Sequence, residues 1–150
     1  MSDVDIEKIY KEIIDFDGFY IHFLSQMNKS FTGDKMNVTQ MRSLVYIHAN
    51  GRCTPKQISE RFSIDLAYLC RNIRELESKG YVKCIPNDAD GRSHLLLLTP
   101  LGEQAYEQQC KRMCKYVQGC VVHLSDKQVS ELVGHMNSIK QLLGESVHNG

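Results

Sequence analysis

Arg71 and Asn72 stand side by side in LAYLCRNIRELESKG, a stretch whose apolar residues recur at helical spacing. A guanidinium matches the paired acceptors of guanine, and a carboxamide matches the donor and acceptor of adenine. The two are therefore suited to reading base edges in a major groove. Setting aside the buried stripe expected from Leu66, Leu69, Ile73 and Leu76 leaves Ala67, Tyr68, Cys70, Arg71, Asn72, Arg74 and Glu75 outward or lateral. Tyr68 can stack on a sugar or a thymine methyl, or give its hydroxyl to phosphate. Lys56 and Arg61, on the preceding segment, suit phosphate contacts that fix position without reading sequence. A second group lies in the polar run 86–93. There Arg92, on a protruding turn, can enter a narrow minor groove. Asp90 repels phosphate, so its expected job is to hold the arginine or another basic group in place. A plainer reading stays open, in which Arg71 and Glu75 form an i,i+4 pair on a solvated face and the polar run is only a turn.

The elements that carry these residues follow from periodicity and caps. Apolar side chains at Ile6, Ile9, Ile13, Phe16, Tyr20, Phe23 or Leu24, and Met27 predict a long helix to about Lys29, interrupted only by Gly18. Asn37 with Gln40 reads as a capping box for a helix through Ala49, closed by Gly51. Thr54, Pro55 and Gln57 repeat the start signal, with Ile58 and Phe62 facing inward. Ser63-Ile64-Asp65 makes the turn, Asp65 caps the next helix, and Gly80 closes it. Strands are expected over 81–85 and 94–98. The four consecutive leucines of the second do not alternate with polar residues, which predicts cover on both sides or closeness to a dimer body. Thr99 and Pro100 start a helix to about Val122, and Ser125 with Gln128 caps a last one.

The fold class is thus mainly α with a small β-wing: a winged helix-turn-helix whose N- and C-terminal helices form a homodimerisation domain. At 150 residues and 42% hydrophobic composition the chain is sized for a single domain over 1–150, with a DNA-binding lobe at 36–99 and dimerisation helices at 4–32 and 100–146. Unstructured chain is expected only near 1–3 and 146–150. The formal net charge of zero argues at first against a nucleic-acid binder, but its distribution matters more than its sum. Residues 1–20 hold six acids against two lysines, whereas 51–83 hold seven bases against four acids. The start MSDVDIEK does not read as a signal peptide, and LLLL is too short to span a bilayer, so a soluble cytoplasmic protein with no membrane partner is expected. Six cysteines without a CxxC spacing read as free thiols.

In this setting the chain resembles the MarR family of transcriptional regulators over nearly its whole length. The resemblance rests on 37–44 entering the second helix, on 54–62 with 65–80 as the helix-turn-helix, and on Asp90-x-Arg92 with Leu96, Leu98, Thr99 and Gly102 as the wing pattern. It implies a homodimer on double-stranded DNA with a palindromic operator. In it Arg92 reaches the minor groove, Asp90 braces the wing and the helix from Asp65 reads bases. A compact dimer over a promoter can occlude polymerase, so a repressor is expected; the resemblance implies release by a small aromatic or lipophilic effector, for which a pocket is expected near Tyr20, His22, Met41 and Tyr46. Gly91, where many members carry a second basic residue, and Cys70, where serine is common, imply a weaker or differently tuned grip.

Two other modes of control remain open. Cys110 and Cys114, four apart on one helix face, could join an imidazole such as His22 in a metal site, against the alternative of plain interior thiols. Cys70, beside Arg71 and Arg74, could sense oxidants at the DNA-facing surface. A helical interaction dimer without DNA binding is the rival function. No HExxH, Gly-rich phosphate loop or serine elbow is present, so neither enzyme activity nor a cofactor is expected.

Overall fold

The computed structural model of the protein describes residues 5–29 and 36–148, with side chains through 144. Its elements are α1 (Ile6–Lys29), α2 (Val38–Asn50), α3 (Pro55–Phe62), α4 (Leu66–Ser78), β1 (Val82–Pro86), β2 (His94–Leu98), α5 (Pro100–Val121) and α6 (Asp126–His148). Compactness divides the chain into one unit ending at Met113 and another starting at Cys114, a boundary inside α5. Helix α6 runs on through His148, into residues expected to be unstructured. Residues 1–3, 149 and 150 of that expectation lie outside the described residues, as does the 30–35 segment.

Caps set the helix starts. At α2 the Asn37 Oδ1 accepts the Gln40 N–H at 2.9 Å, while Gln40 Oε1 accepts the Asn37 N–H at 3.1 Å. Thr54 and Gln57 make the same reciprocal pair at α3, with Pro55 in the first turn where its missing N–H costs nothing. Between α3 and α4 the chain turns through Ser63, whose φ of 51° lies in the left-handed region. The cost to a residue bearing a Cβ is offset by bonds across the turn: Ser59 Oγ donates to the Ile64 carbonyl at 2.6 Å, and the Ile64 N–H donates to the Ser59 carbonyl at 3.0 Å. Asp65 then caps α4, accepting the Tyr68 N–H at 2.8 Å.

The wing is one antiparallel pair in register Val82↔Leu98, Cys84↔Leu96 and Pro86↔His94. A bridge from Cys53 lies against the other side of Leu96, with N–H to carbonyl distances of 3.2 and 2.8 Å in the two directions. Sequence reading missed it because the two residues between Gly51 and Thr54 are too few to show strand periodicity. Of the four leucines only Leu96 is buried, and the other three are partly covered. Leu96 joins Leu44, Ile47, Cys53, Ile58, Leu69, Ile73, Leu76, Val82 and Ala105 in one core. Leu66 does not: it is 44% exposed, a correction to the expected stripe. Phe62 packs on the edge of this core, partly buried.

Burial pushes the Cys53 thiol from 9.0 up to about 11. A raised thiol pKa keeps the native state protonated where the unfolded chain has already lost its proton. Its linkage therefore leaves stability intact below pH 9 and removes it as pH rises from 9 towards 11. Cys53 is expected to be the last cysteine alkylated by iodoacetamide at pH 8, reacting at the rate of global unfolding. Labelling of Cys53 as fast as that of exposed Cys114 in a mass-spectrometric time course would contradict this.

Candidate nucleic-acid interface

Helix α4 turns Leu69, Ile73 and Leu76 into the core and leaves Ala67, Tyr68, Arg71 and Arg74 exposed on the other side. The Arg71 guanidinium carbon stands 5.8 Å from the centre of the Tyr68 ring, one turn back, so the two present a joined cationic and aromatic surface. Cys70 lies half-buried beside them. The expected Arg71–Glu75 pair is replaced by another bond, since Glu75 Oε2 accepts from Gln40 Nε2 at 2.7 Å.

Asn72 departs from expectation. It is 4% exposed, its Nδ2 donates to the Tyr68 carbonyl at 2.9 Å, and its Oδ1 accepts from Asn37 Nδ2 at 2.7 Å. With its amide spent inside the protein it does not present itself on the outer face of α4, where Arg71 is exposed. Lys56 and Arg61 are exposed on α3. Lys56 lies 3.8 Å from Glu60, and Arg61 lies with its guanidinium carbon 5.4 Å from the Phe62 ring centre. Arg42 approaches the same ring at 5.6 Å, while Tyr46 meets it edge-on at 6.2 Å.

At the wing tip the Asn87 N–H donates to the Ser93 carbonyl at 3.2 Å, and Asn87 Nδ2 donates to Ser93 Oγ at 2.8 Å. Asp90 Oδ1 accepts the Arg92 N–H at 3.1 Å. The carboxylate thus shapes the backbone on which Arg92 stands, leaving the guanidinium exposed at the tip.

A cleft of about 730 Å³ opens beside this lobe, walled by Ile21, Leu24 and Ser25 of α1, by Met36, Met41 and Arg42 around the start of α2, and by Gln109 and Met113 of α5. Of the four expected pocket residues only Met41 lines it. Tyr20 stacks between Phe16 and Phe23 along α1, with centroids at 5.8 and 6.5 Å, and Tyr46 is engaged by Phe62. His22 is exposed elsewhere on α1. Among the described residues no group of three His, Cys, Asp or Glu side chains is placed to hold a metal ion, so Cys110, Cys114 and His22 are not assembled into one site.

A family model described as MarR family matches residues 35–93, the span from the entry of α2 to the wing. Over 99 residues the chain is 30% identical to the HTH-type transcriptional regulator BilQ of Clostridioides difficile (strain CD3), covering 66% of this chain and 67% of that protein. The chain belongs to the MarR family. It is also 31% identical over 105 residues to the multiple antibiotic resistance protein MarR of Salmonella typhimurium, covering 67% and 72% of the two chains. Among solved structures, a mutant of MarR from E. coli complexed with operator DNA superposes with a TM-score of 0.68 at 28% identity, covering 87% of this chain and 96% of that one.

The MarR wing pattern has a direct physical reading in this chain. Thr99 Oγ1 donates to the Gly80 carbonyl at 2.5 Å and accepts the Gly102 N–H at 3.0 Å, which ties the end of α4, the wing and the start of α5 at one hydroxyl. The Thr99 N–H donates to the Tyr81 carbonyl at 3.1 Å. Gly102 lies so close to that carbonyl that a Cβ would collide with its oxygen. The Leu-Thr-x-x-Gly of the MarR pattern is therefore the joint that fixes the wing to the scaffold.

Proposed function

We propose that this protein is a sequence-specific double-stranded DNA-binding transcriptional regulator. It acts as a repressor in the cytoplasm, as a homodimer on a palindromic operator, and a small apolar effector releases it. The single observation that carries the reading is the pairing of Arg71 on the outer face of α4 with Arg92 on a braced wing tip, two cations presented by separate protrusions of one lobe. Arg71 suits base edges in the major groove and Arg92 the minor groove beside it, while Lys56 and Arg61 suit phosphates.

Dimerisation is supported by uncovered apolar surface. Helix α1 has no buried residue, and Ile6 and Phe19 are each 65% exposed. Helix α6 carries Leu132, Val133, Met136, Ile139, Leu142 and Leu143, all exposed. Surfaces of this size call for a partner, and a second copy satisfies them symmetrically. An effector of aromatic or lipophilic character is supported by the cleft. Its thioethers at Met27, Met36, Met41 and Met113 adapt to varied apolar shapes, and Arg42 and Asn28 can meet a polar group.

The test is fluorescence anisotropy on duplex DNA from upstream of the protein's own gene and on a shuffled control, at one stated salt concentration, with light scattering for the dimer. Selective binding by a dimer is expected, and indifference to both duplexes at low salt would sink the reading. In the same assay Arg71→Ala is expected to flatten the preference for operator, at a cost of about 1–3 kcal/mol per base contact. Lys56→Ala is expected to weaken both duplexes alike and to shallow the salt dependence. Equal losses on both duplexes for Arg71→Ala would remove its base-reading role.

A further inference from the structure

We infer that Gln40, Asn37, Asn72 and Glu75 are positioning residues for DNA reading: the capping box of α2 sets the rotation of α4 about its own axis, and with it operator selectivity. The inference rests on the DNA-reading function proposed above. Leu69, Ile73 and Leu76 hold α4 by apolar burial, which is non-directional and tolerates small rotations. What is directional is a pair of side-chain bonds, one helical turn apart, from the start of α2 to buried Asn72 and exposed Glu75 on α4.

Both amides of the capping box are used at both ends. Asn37 accepts the Gln40 N–H through Oδ1 and donates through Nδ2 to Asn72 Oδ1 at 2.7 Å. Gln40 accepts the Asn37 N–H through Oε1 and donates through Nε2 to Glu75 Oε2 at 2.7 Å. Glutamate in place of Gln40 would cap equally well but has no donor left for α4, and serine in place of Asn37 keeps only a hydroxyl on a shorter side chain. Gln40 is 1% exposed and Asn72 4%, so rotation that broke the bonds would strand buried amides without water to replace them. Asn72 is the residue next to Arg71, and Glu75 lies one helical turn beyond it. At the roughly 6 Å radius of helix side chains, a rotation of about 20° carries a side-chain tip some 2 Å, enough to spoil a bidentate contact to a base. Asn37 also lines the cleft, so this tie joins the cleft wall to the reading helix.

The experiment measures the operator-to-shuffled affinity ratio, with thermal melts, for the full-length protein and three variants. Glu75→Ala removes an acid from an exposed side chain, so the fold should be retained, and charge alone predicts tighter binding to both duplexes. The expected result is tighter binding to shuffled DNA with an operator ratio lowered about tenfold, a split that electrostatics cannot produce. Gln40→Glu sets two carboxylates against each other and is expected to lower the ratio as well. Gln40→Glu/Glu75→Gln exchanges donor and acceptor across the same contact at unchanged net charge, and is expected to bring the ratio back to within about threefold of wild type. An unchanged ratio in Glu75→Ala, or a double variant that melts like wild type yet stays unselective, overturns the inference. A wild-type protein with no operator preference sinks the DNA-reading function itself, which is a different failure.

Discussion

Arg92→Ala is expected to lower operator affinity about a hundredfold while leaving the melting temperature unchanged. The guanidinium stands exposed at the wing tip and contributes nothing to the core. Its loss removes one charge-assisted contact, worth about 1.5 kcal/mol, and a homodimer loses it twice, giving about 3 kcal/mol or two decades. Shuffled DNA should lose affinity too, because the minor groove attracts the cation by its potential rather than by a pattern of base edges. The salt dependence should become shallower as fewer counterions are displaced. Asp90→Ala is expected to act in the same direction and less strongly, since it frees the Arg92 amide held at 3.1 Å but leaves the charge in place. Operator affinity of Arg92→Ala within a factor of three of wild type would mean that the wing does not reach DNA.

Gly102→Ala is the substitution expected to damage the fold most for its size. A methyl at this position collides with the Tyr81 backbone oxygen, which cannot swing aside as a flexible side chain would. Relief requires the first turn of α5 to lift away from the start of β1, and that breaks the Thr99 N–H bond to the same oxygen. Such overpacking against backbone costs about 3 kcal/mol, which lowers the melting temperature of a chain this size by roughly 10 °C. Gly119→Ala supplies the contrast. It lies inside α5 with open space where a Cβ would stand, so helix propensity should make it neutral or stabilising by up to about 1 kcal/mol. Equal melting temperatures for the two variants would show that the α5 start is free to move.

Much of this chain could be read before any coordinates. The caps at Asn37, Thr54, Asp65 and Ser125 were legible because a cap is a local interaction spanning three residues, complete within the sequence window that displays it. The strand 94–98 and the Asp90-x-Arg92 tip were legible for the same reason, since a hairpin closes on itself. The MarR resemblance then joined these local signals into one architecture.

What escaped the sequence is what depends on residues far apart in the chain. Periodicity marked Leu66 and Leu69 alike, but it gives a face and not how far along the helix its neighbours extend. Leu66, in the first turn of α4, therefore lies beyond the cover that buries Leu69. Asn72 looked like a base reader because an outward amide and an inward one have the same letter, and the partner that claims it, Asn37, is 35 positions away. The cleft escaped in the same manner, drawing its walls from α1, α2 and α5, with Met41 the one residue foreseen. The sequence by itself determined the elements, their caps and the two cationic protrusions, because short-range hydrogen bonds and periodic burial act along the chain. Only the tertiary structure decided that Asn72 leaves the outer face of α4 and which residues wall the cleft, because both depend on side chains far apart in the chain.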